Sequence, residues 1–198
     1  RINTTVLPAL TLADQGNVGG EDIAAGTHTF MPAVHVDKCD NMAIGYAASG
    51  PGIYTSAYYA TRNIGDGAGT IGASVLLAAG VDTYVRSFSS SLTTSSRWGD
   101  YSGISLCPVD ESNFWVYNEY AGTHGTPTTV SGVTEDGRWF SKVGSFSTCQ
   151  TVAVAILDDA VSEATEAFTV QLSAATNATI GTGTGTGTIV DNDGLPAL

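Results

Sequence analysis

The sequence contains few basic residues, and this shortage excludes several kinds of partner. Only 7 lysines and arginines stand against 19 aspartates and glutamates, which gives a formal net charge of -12. A polyanion such as DNA, RNA or an acidic membrane surface would be repelled by this charge. We therefore expect no nucleic-acid partner, and cations are the natural counterpart of the chain.

Long apolar runs and helical periodicity are also missing. No stretch reaches about 18 consecutive apolar residues, so we expect no membrane span. No segment keeps a period of 3.6 residues over three turns, whereas short β-type runs bounded by Gly, Pro, Asn or Asp recur along the chain. The charged share of 13% is low, and the many small polar residues are typical of secreted bacterial proteins. The sequence predicts an all-β, extracellular protein that is secreted or held at the cell surface.

The chain begins with Arg1 rather than Met, which indicates a processed N-terminus or a segment of a longer polypeptide. Asn3 and Asn177 each begin an Asn-x-Thr sequon, so they are the candidate glycosylation sites.

Only three cysteines are present, at Cys39, Cys107 and Cys149. They form no Cys-x-x-Cys pair and have no zinc spacing with the histidines, so we do not expect a metal–cysteine site. In an exported protein, one disulfide and one free thiol is the simplest arrangement. The sequence alone does not fix the pairing, but Cys39 and Cys107 lie in similar settings, each in a polar loop before an aromatic-rich strand. This likeness makes Cys39 with Cys107 the favoured pair.

Glycine and threonine alternate near the C-terminus, over residues 181–188. A phosphate-binding loop is not indicated, because neither Lys-Ser nor Lys-Thr follows and no helix is expected there. In a strand, the period of two places the threonines on one face and the glycines on the other. The glycine face would let bulky rings or another backbone approach closely. The threonines concerned are Thr182, Thr184, Thr186 and Thr188.

The last fifty residues carry a family resemblance. The stretch "VAVAILDDAVSEATEAFTVQLSAATNATIGTGTGTGTIVDND" resembles the second half of a Calx-beta domain, and the match covers about residues 143–193. The resemblance implies an immunoglobulin-like β-sandwich whose acidic loop ends bind calcium at one pole. Carboxylate ligands without cysteine or histidine favour Ca²⁺ over a transition metal. The positions that match the ligand-bearing motifs are Asp158, Asp159, Glu163, Asp191 and Asp193.

The opening strands of a Calx-beta domain are not found directly before Val143, because a region rich in tryptophan and tyrosine lies there. The sandwich is therefore incomplete in local sequence, and an incomplete sandwich has an open edge that another strand can fill. We expect this strand to come from elsewhere. The boundaries expected are an extended N-terminal segment and loop (1–26), a β-rich aromatic region (27–142), the Calx-beta-like half sandwich (143–193) and an apolar junction (194–198).

Residues 31–149 resemble a stretch near the end of large secreted bacterial proteins with sialidase-like or other β-propeller regions. The signatures are "RWGDYS" and "FWVYNEY". The resemblance suggests an enzymatic alternative in which Glu119 and Tyr120 form a nucleophile pair and three arginines clamp a substrate carboxylate. Against it, the region is too short for a propeller and no Ser-x-Asp-x-Gly-x-Thr-Trp box is present. We therefore expect no enzyme. The arginines concerned are Arg62, Arg97 and Arg138.

The favoured function is that of an extracellular structural protein, a calcium-stabilised subunit of a head-to-tail filament or repeat array. One copy would insert an extended segment into the open sheet of the next, and such contacts do not close into a ring. The expected donor is residues 2–12. The tetrapeptide LPAL, which occurs near both ends of the chain, then marks the two sides of a junction. The expected assembly residues are Val6, Leu7, Leu10, Leu12, Leu195 and Leu198.

Two other functions stay open. The first is an adhesin-like module that recognises a glycan or a cell surface through Trp98, Trp115 or Tyr117. The second is a fragment of a secreted sialidase-like hydrolase.

Overall fold

The computed structural model describes most of the chain. All strands in this part pair in antiparallel sheets and no helix occurs in it, so the all-β prediction is confirmed. The chain divides into two compact units, Arg1–Gln150 (unit 1) and Thr151–Leu198 (unit 2). The described residues are 2–5, 8–86, 97–126, 128–130, 133–149, 154–157, 160–174 and 183–193.

The described residues form five antiparallel sheets. One sheet has the strand order β3-β4-β5-β6 and a second has the order β11-β8-β7, while β1–β2, β9–β10 and β12–β13 are two-stranded. No helix in the described part of the chain is long and apolar enough to cross a membrane. The strands are β1 (Ile2–Asn3), β2 (Thr11–Leu12), β3 (His28–Val36), β4 (Met42–Gly50), β5 (Ile53–Arg62), β6 (Val75–Ala78), β7 (Gly103–Leu106), β8 (Asn113–Ala121), β9 (Thr128–Val130), β10 (Val133–Glu135), β11 (Trp139–Ser147), β12 (Glu166–Gln171) and β13 (Thr184–Ile189).

The two larger sheets of unit 1 pack face to face as a β-sandwich. The rings of Tyr59 on β5 and Phe146 on β11 stack with their centroids 4.0 Å apart. A Cβ on Gly45 of β4 would lie 2.5 Å from Cγ2 of Val116 on β8, so only glycine allows this close approach of the sheets. Phe114 and Val116 are fully buried between the sheets. Alternate side chains of β8 therefore form the inner core.

The other face of the four-stranded sheet is covered as well. Here Tyr46 and Tyr58 lie on neighbouring strands with their rings 6.3 Å apart. The Tyr46 hydroxyl donates to Oγ of Ser74 over 2.6 Å, and Ser74 in turn donates its N–H and O–H to the carboxylate of Asp22. These bonds hold two loop segments over the tyrosines, so β4 and β5 are buried on both faces. The partly buried side chains packed against this layer are Val18, Ile23, Ile44, Ile53 and Ile71.

Aspartates cap the turns that begin the long central strands of unit 1. Asp37 accepts hydrogen bonds from two backbone N–H groups of the β3–β4 turn, both at 2.9 Å. Asp110 does the same in the β7–β8 turn at 2.9 and 3.0 Å. Because these bonds favour the ionised carboxylate, they lower the pKa of Asp110 to about 2. The two turns are joined where the N–H of Lys38 donates to the carbonyl of Glu111 over 3.0 Å.

The disulfide joins Cys39 to Cys149, and Cys107 is a free thiol. The expected Cys39–Cys107 pair is therefore wrong. The last residues after β11 reach the β3–β4 turn, where the Thr148 hydroxyl donates to Oδ2 of Asp37 over 2.7 Å. This contact brings the neighbouring Cys149 to Cys39, across a separation of 110 residues. The bond thus ties the end of one sheet to a turn of the other.

Unit 2 is described over residues 154–157, 160–174 and 183–193, which include the β12–β13 ribbon. The register pairs Phe168 with Gly187 and Thr169 with Thr186. A Cβ on Gly187 would lie 2.3 Å from the Phe168 ring, so the ring needs the glycine opposite it. The prediction of a threonine face and a glycine face that admits a bulky ring is confirmed for residues 184–188. Thr182 lies outside the described residues.

Candidate functional site

An uncharged apolar groove runs along one face of unit 2. Phe168 and Val170 of β12 lie opposite glycines of β13, so the floor of the groove is open between the larger side chains. Ile156 is 50% exposed, and none of the described residues of unit 2 is buried. The groove has a volume of about 740 Å³. Its lining residues are Val154, Ile156, Phe168, Val170, Gly185, Thr186, Gly187, Thr188, Ile189, Val190 and Asn192.

The N-terminal segment displays apolar side chains. Leu10 and Leu12 are 54% and 63% exposed, and Ile2 is 59% exposed. The segment folds back on itself, because Ile2 pairs with Leu12 and Asn3 with Thr11 in the two-residue strands β1 and β2. A donor strand would therefore first have to open this short ladder. Four of the expected assembly residues, Val6, Leu7, Leu195 and Leu198, lie outside the described residues.

Three of the expected calcium ligands lie at one end of the β12–β13 ribbon or in the loop beside it. Asp191 accepts hydrogen bonds from the N–H of Glu163 (2.9 Å), the hydroxyl of Ser162 (3.2 Å) and the N–H of Asp193 (3.1 Å). The bonds from Asp193 and Glu163 are the main reason that the pKa of Asp191 is lowered. Asp191 thus draws the loop and the end of β13 together.

The remaining two expected ligands, Asp158 and Asp159, lie outside the described residues. Within the part of the chain that the structure describes, no group of three or more His, Cys, Asp and Glu side chains could hold a metal ion. Calcium binding therefore stays a prediction, and it depends on the two undescribed aspartates joining Asp191. The candidate glycosylation sites also stay predictions, because the side chain of Asn3 and all of Asn177 lie outside the described residues.

The residues of the enzymatic alternative do not form the expected pair. Glu119 and Tyr120 are consecutive in β8, so their side chains point to opposite faces of the sheet. Glu119 is 6% exposed and lies under the backbone of Gly99. Burial raises the pKa of Glu119, and the negative charge of Asp100 adds to this effect, while the N–H of Gly99 opposes it.

The arginines are engaged in separate places. Arg62 forms an ion pair with Asp14 beside the outer layer of the four-stranded sheet. Arg97 lies 4.0 Å from Asp100, at the start of the segment that leads into β7. Arg138 precedes β11, and its carbonyl accepts the N–H of Gly122. Each of the three arginines therefore contacts a different segment of the chain.

Sequence reasoning missed a polar cluster around His124. Its Nε2 lies 2.6 Å from the Thr83 hydroxyl and 3.2 Å from Oδ1 of Asp82, and its Nδ1 lies 3.7 Å from Oδ2 of Asp136. The order hydroxyl, imidazole, carboxylate is also that of a hydrolytic triad. Here, however, the Asp82 carboxylate shares the nitrogen that the hydroxyl contacts, so the imidazole ties three segments together. No sequence motif indicated this cluster, because Asp82 and Thr83 lie about 40 residues before His124 and Asp136 follows on a third segment.

The aromatic residues of the glycan alternative divide into two groups. Trp98 packs edge-on against Phe30 and Tyr84, with ring centroids 6.4 and 4.9 Å apart, so it is part of the fold. Trp115 is 48% exposed, and Tyr117 is half-buried two residues further along the same face of β8. Trp115 and Tyr117 therefore share one face of β8, whereas Trp98 packs in a separate aromatic cluster.

No protein-family model matches the chain, and no curated protein or solved structure is significantly similar to it. The likeness to Calx-beta domains thus rests on the sequence motifs between residues 143 and 193. The immunoglobulin-like type of the sandwich stays a prediction that rests on the same sequence motifs.

Proposed function

We propose that the protein is an extracellular structural subunit that assembles head to tail by strand complementation. The observation that carries this proposal is the apolar groove of unit 2, in which Phe168, Val170 and Ile156 line a face that no described residue of unit 2 covers. A two-stranded ribbon is marginally stable by itself, and it gains stability when its apolar face is covered. The occupant we assign to the groove is residues 2–12 of a second copy.

The alternation of side chains in this segment suits a groove. In an extended strand, Ile2, Val6, Leu10 and Leu12 fall on one face, because side chains alternate with a period of two. Leu10 and Leu12 are more than half exposed in the single chain, so burying them in a neighbour removes apolar surface from water. The β1–β2 ladder that must open consists of only two residue pairs.

Charge also favours this pairing over other contacts between copies. Two chains that each carry a net charge of -12 repel one another over most of their surfaces. Residues 2–12 contain no charged or histidine side chain, and neither does the groove lining. The donor and the groove are therefore regions that can meet without bringing like charges together.

Calcium is the proposed stabiliser of the acidic end of unit 2. Asp191 already holds Glu163 and Asp193 beside it through backbone hydrogen bonds. If Asp158 and Asp159 join this group, several carboxylates share one pole, and a hard cation relieves their repulsion. We expect Ca²⁺ to raise, and EDTA to lower, the temperature at which the filaments dissociate.

The test is light scattering and electron microscopy of the full chain over a range of concentrations. We expect filaments from the full chain and monomers after deletion of residues 1–12. Val170→Asp places a charge in the groove and should also give monomers. Thr169→Asp is the matched control, because it adds the same charge one residue away on the opposite face of β12, and it should still form filaments.

Two results would contradict the proposal. A full chain that stays monomeric at every concentration has no head-to-tail contact. Filaments that persist without residues 1–12 have another donor. Filaments that are unaffected by EDTA would show that calcium is not needed for assembly. The assignment of residues 2–12 as the donor would not change.

A further inference from the structure

A second surface, on unit 1, is independent of the proposed assembly. It is the outer face of the β11-β8-β7 sheet, and its centre is Trp115. The register places Ser105 of β7 and Ser145 of β11 directly opposite Trp115 on either side. Neighbouring strands lie about 4.8 Å apart, so the indole ring is flanked by a hydroxyl on each side.

The next row of the same face continues this surface. Tyr117 lies opposite Gly103 on β7 and Val143 on β11. A Cβ on Gly103 would meet no atom within 4 Å, so the space beside Tyr117 is open to solvent. Val143 is 54% exposed. We call these five residues the Trp115 face: Ser105, Trp115, Tyr117, Val143 and Ser145.

The inner face of the same strand shows that this exposure is specific to one side. Phe114 and Val116, which alternate with Trp115, are fully buried against the other sheet. The outer face of the four-stranded sheet is also covered, by the layer over Tyr46 and Tyr58. A half-exposed tryptophan in the middle strand of a sheet is costly to leave in water, and exposed apolar patches commonly mark interaction sites.

We propose that the Trp115 face binds a neutral polysaccharide. A sugar ring has the same two-sided chemistry as this surface, since its C–H face stacks on an aromatic ring and its hydroxyls lie around the edge. When a sugar ring stacks on Trp115, the hydroxyls on the two sides of the sugar come within reach of Ser105 and Ser145. Tyrosine and tryptophan suit such contacts because each combines a large apolar body with a polar group.

The shape and the charge of the Trp115 face further limit the class of ligand that it can bind. Small ligands bind in concave pockets, whereas the described residues leave this face as an open sheet surface, which suits a polymer chain that lies across it. None of the five side chains is charged, and the chain as a whole carries -12. Polysaccharides with uronate or sialate carboxylates would be repelled, so the ligand is an uncharged polymer.

The test is affinity electrophoresis of the full chain in gels that contain hydroxyethyl cellulose, galactomannan or arabinoxylan, with polygalacturonate as the acidic comparison. We expect at least one neutral polymer to retard the chain and polygalacturonate to have no effect. Trp115→Ala should weaken binding about tenfold or more, and Ser105→Ala or Ser145→Ala should weaken it by a smaller factor. Tyr54→Ala is the matched control, because Tyr54 is a 46% exposed aromatic residue on the other sheet, and it should bind normally.

Fluorescence gives a second readout. A binding polymer should shift the tryptophan emission of the full chain to shorter wavelength as it excludes water from the indole of Trp115. Trp115→Ala should lose this shift, although Trp139 is also 49% exposed. The proposal is overturned if none of the neutral polymers retards the chain or shifts its emission, or if Trp115→Ala binds as tightly as the full chain. It is also overturned if Trp115→Ala abolishes self-association instead, because the face would then be a contact between copies.

Discussion

Unit 1 and unit 2 are both built from antiparallel strands, but they differ in what covers the apolar side of those strands. In unit 1, β4 and β5 are buried on both faces, by the second sheet and by the layer around Tyr46 and Tyr58. In unit 2, Phe168 and Val170 line an open groove, and no described residue of this unit is buried. Unit 1 therefore contains the core of a β-sandwich, whereas the described strands of unit 2 form a single ribbon with an open face. This difference is the reason for assigning assembly to unit 2.

The largest expected effect is on the stability of unit 1, when its disulfide is removed. Replacing both cysteines of the disulfide, Cys39→Ser with Cys149→Ser, frees a chain separation of 110 residues in the unfolded state. We expect the free energy of unfolding to fall by roughly 2–5 kcal/mol. All three tryptophans belong to unit 1, so urea unfolding followed by tryptophan fluorescence measures this unit.

The control for this experiment is Cys107→Ser, which removes the free thiol. It should change the free energy of unfolding by no more than about 0.5 kcal/mol. A loss in Cys107→Ser as large as that of the double replacement would show that the disulfide is assigned to the wrong cysteines.

A smaller effect is expected when one methyl group is added to each unit, and it compares how tightly the two units are packed. Gly45→Ala would place a Cβ 2.5 Å from the buried Val116, and such overpacking typically costs about 1–3 kcal/mol. Gly185→Ala points into the open groove, where a Cβ would meet no atom within 4 Å. Differential scanning calorimetry of the chain lacking residues 1–12, whose groove receives no donor, should show a lower transition temperature for Gly45→Ala alone. Equal losses in the two variants would mean that the groove of unit 2 is filled in the single chain.

The smallest effect concerns pH. The backbone N–H groups of Ser112 and Asn113 lower the pKa of Asp110 to about 2. A lowered carboxyl pKa stabilises the fold above the pKa of the unfolded chain, and this contribution is lost as the pH falls from about 4 to about 2. Asp110→Asn lacks the titrating group, so its fluorescence-detected urea midpoint should fall less steeply over this range. Parallel pH profiles would contradict the assigned cap.

The sequence predicts local features of this fold better than distant contacts. The alternation of glycine and threonine predicted a glycine face that admits a bulky ring, because faces follow from a period of two, and the structure places Phe168 opposite Gly187. The partner of Cys39 depends on where β11 ends, more than 100 residues away, and no local pattern contains that information. The partly buried Trp98 and the exposed Trp115 also look alike in sequence. They differ because Trp98 packs against Phe30 and Tyr84.

The candidate site follows the same rule. The sequence predicts an incomplete sandwich in the last fifty residues, and the described part of this region lines an open apolar groove. The cluster around His124 was not predictable, because it forms only when three loops meet. The pairing of Ile2 with Leu12 was also missed, since two-residue strands have no periodicity to detect.

The central claim is that the N-terminal segment of one copy fills the groove of unit 2 in the next. Its most direct test is titration of a chain lacking residues 1–12 with a free peptide of those residues, followed by isothermal calorimetry. We predict binding of one peptide per chain, abolished by Val170→Asp and retained in Thr169→Asp. No binding, or binding that Val170→Asp leaves unchanged, would contradict the claim.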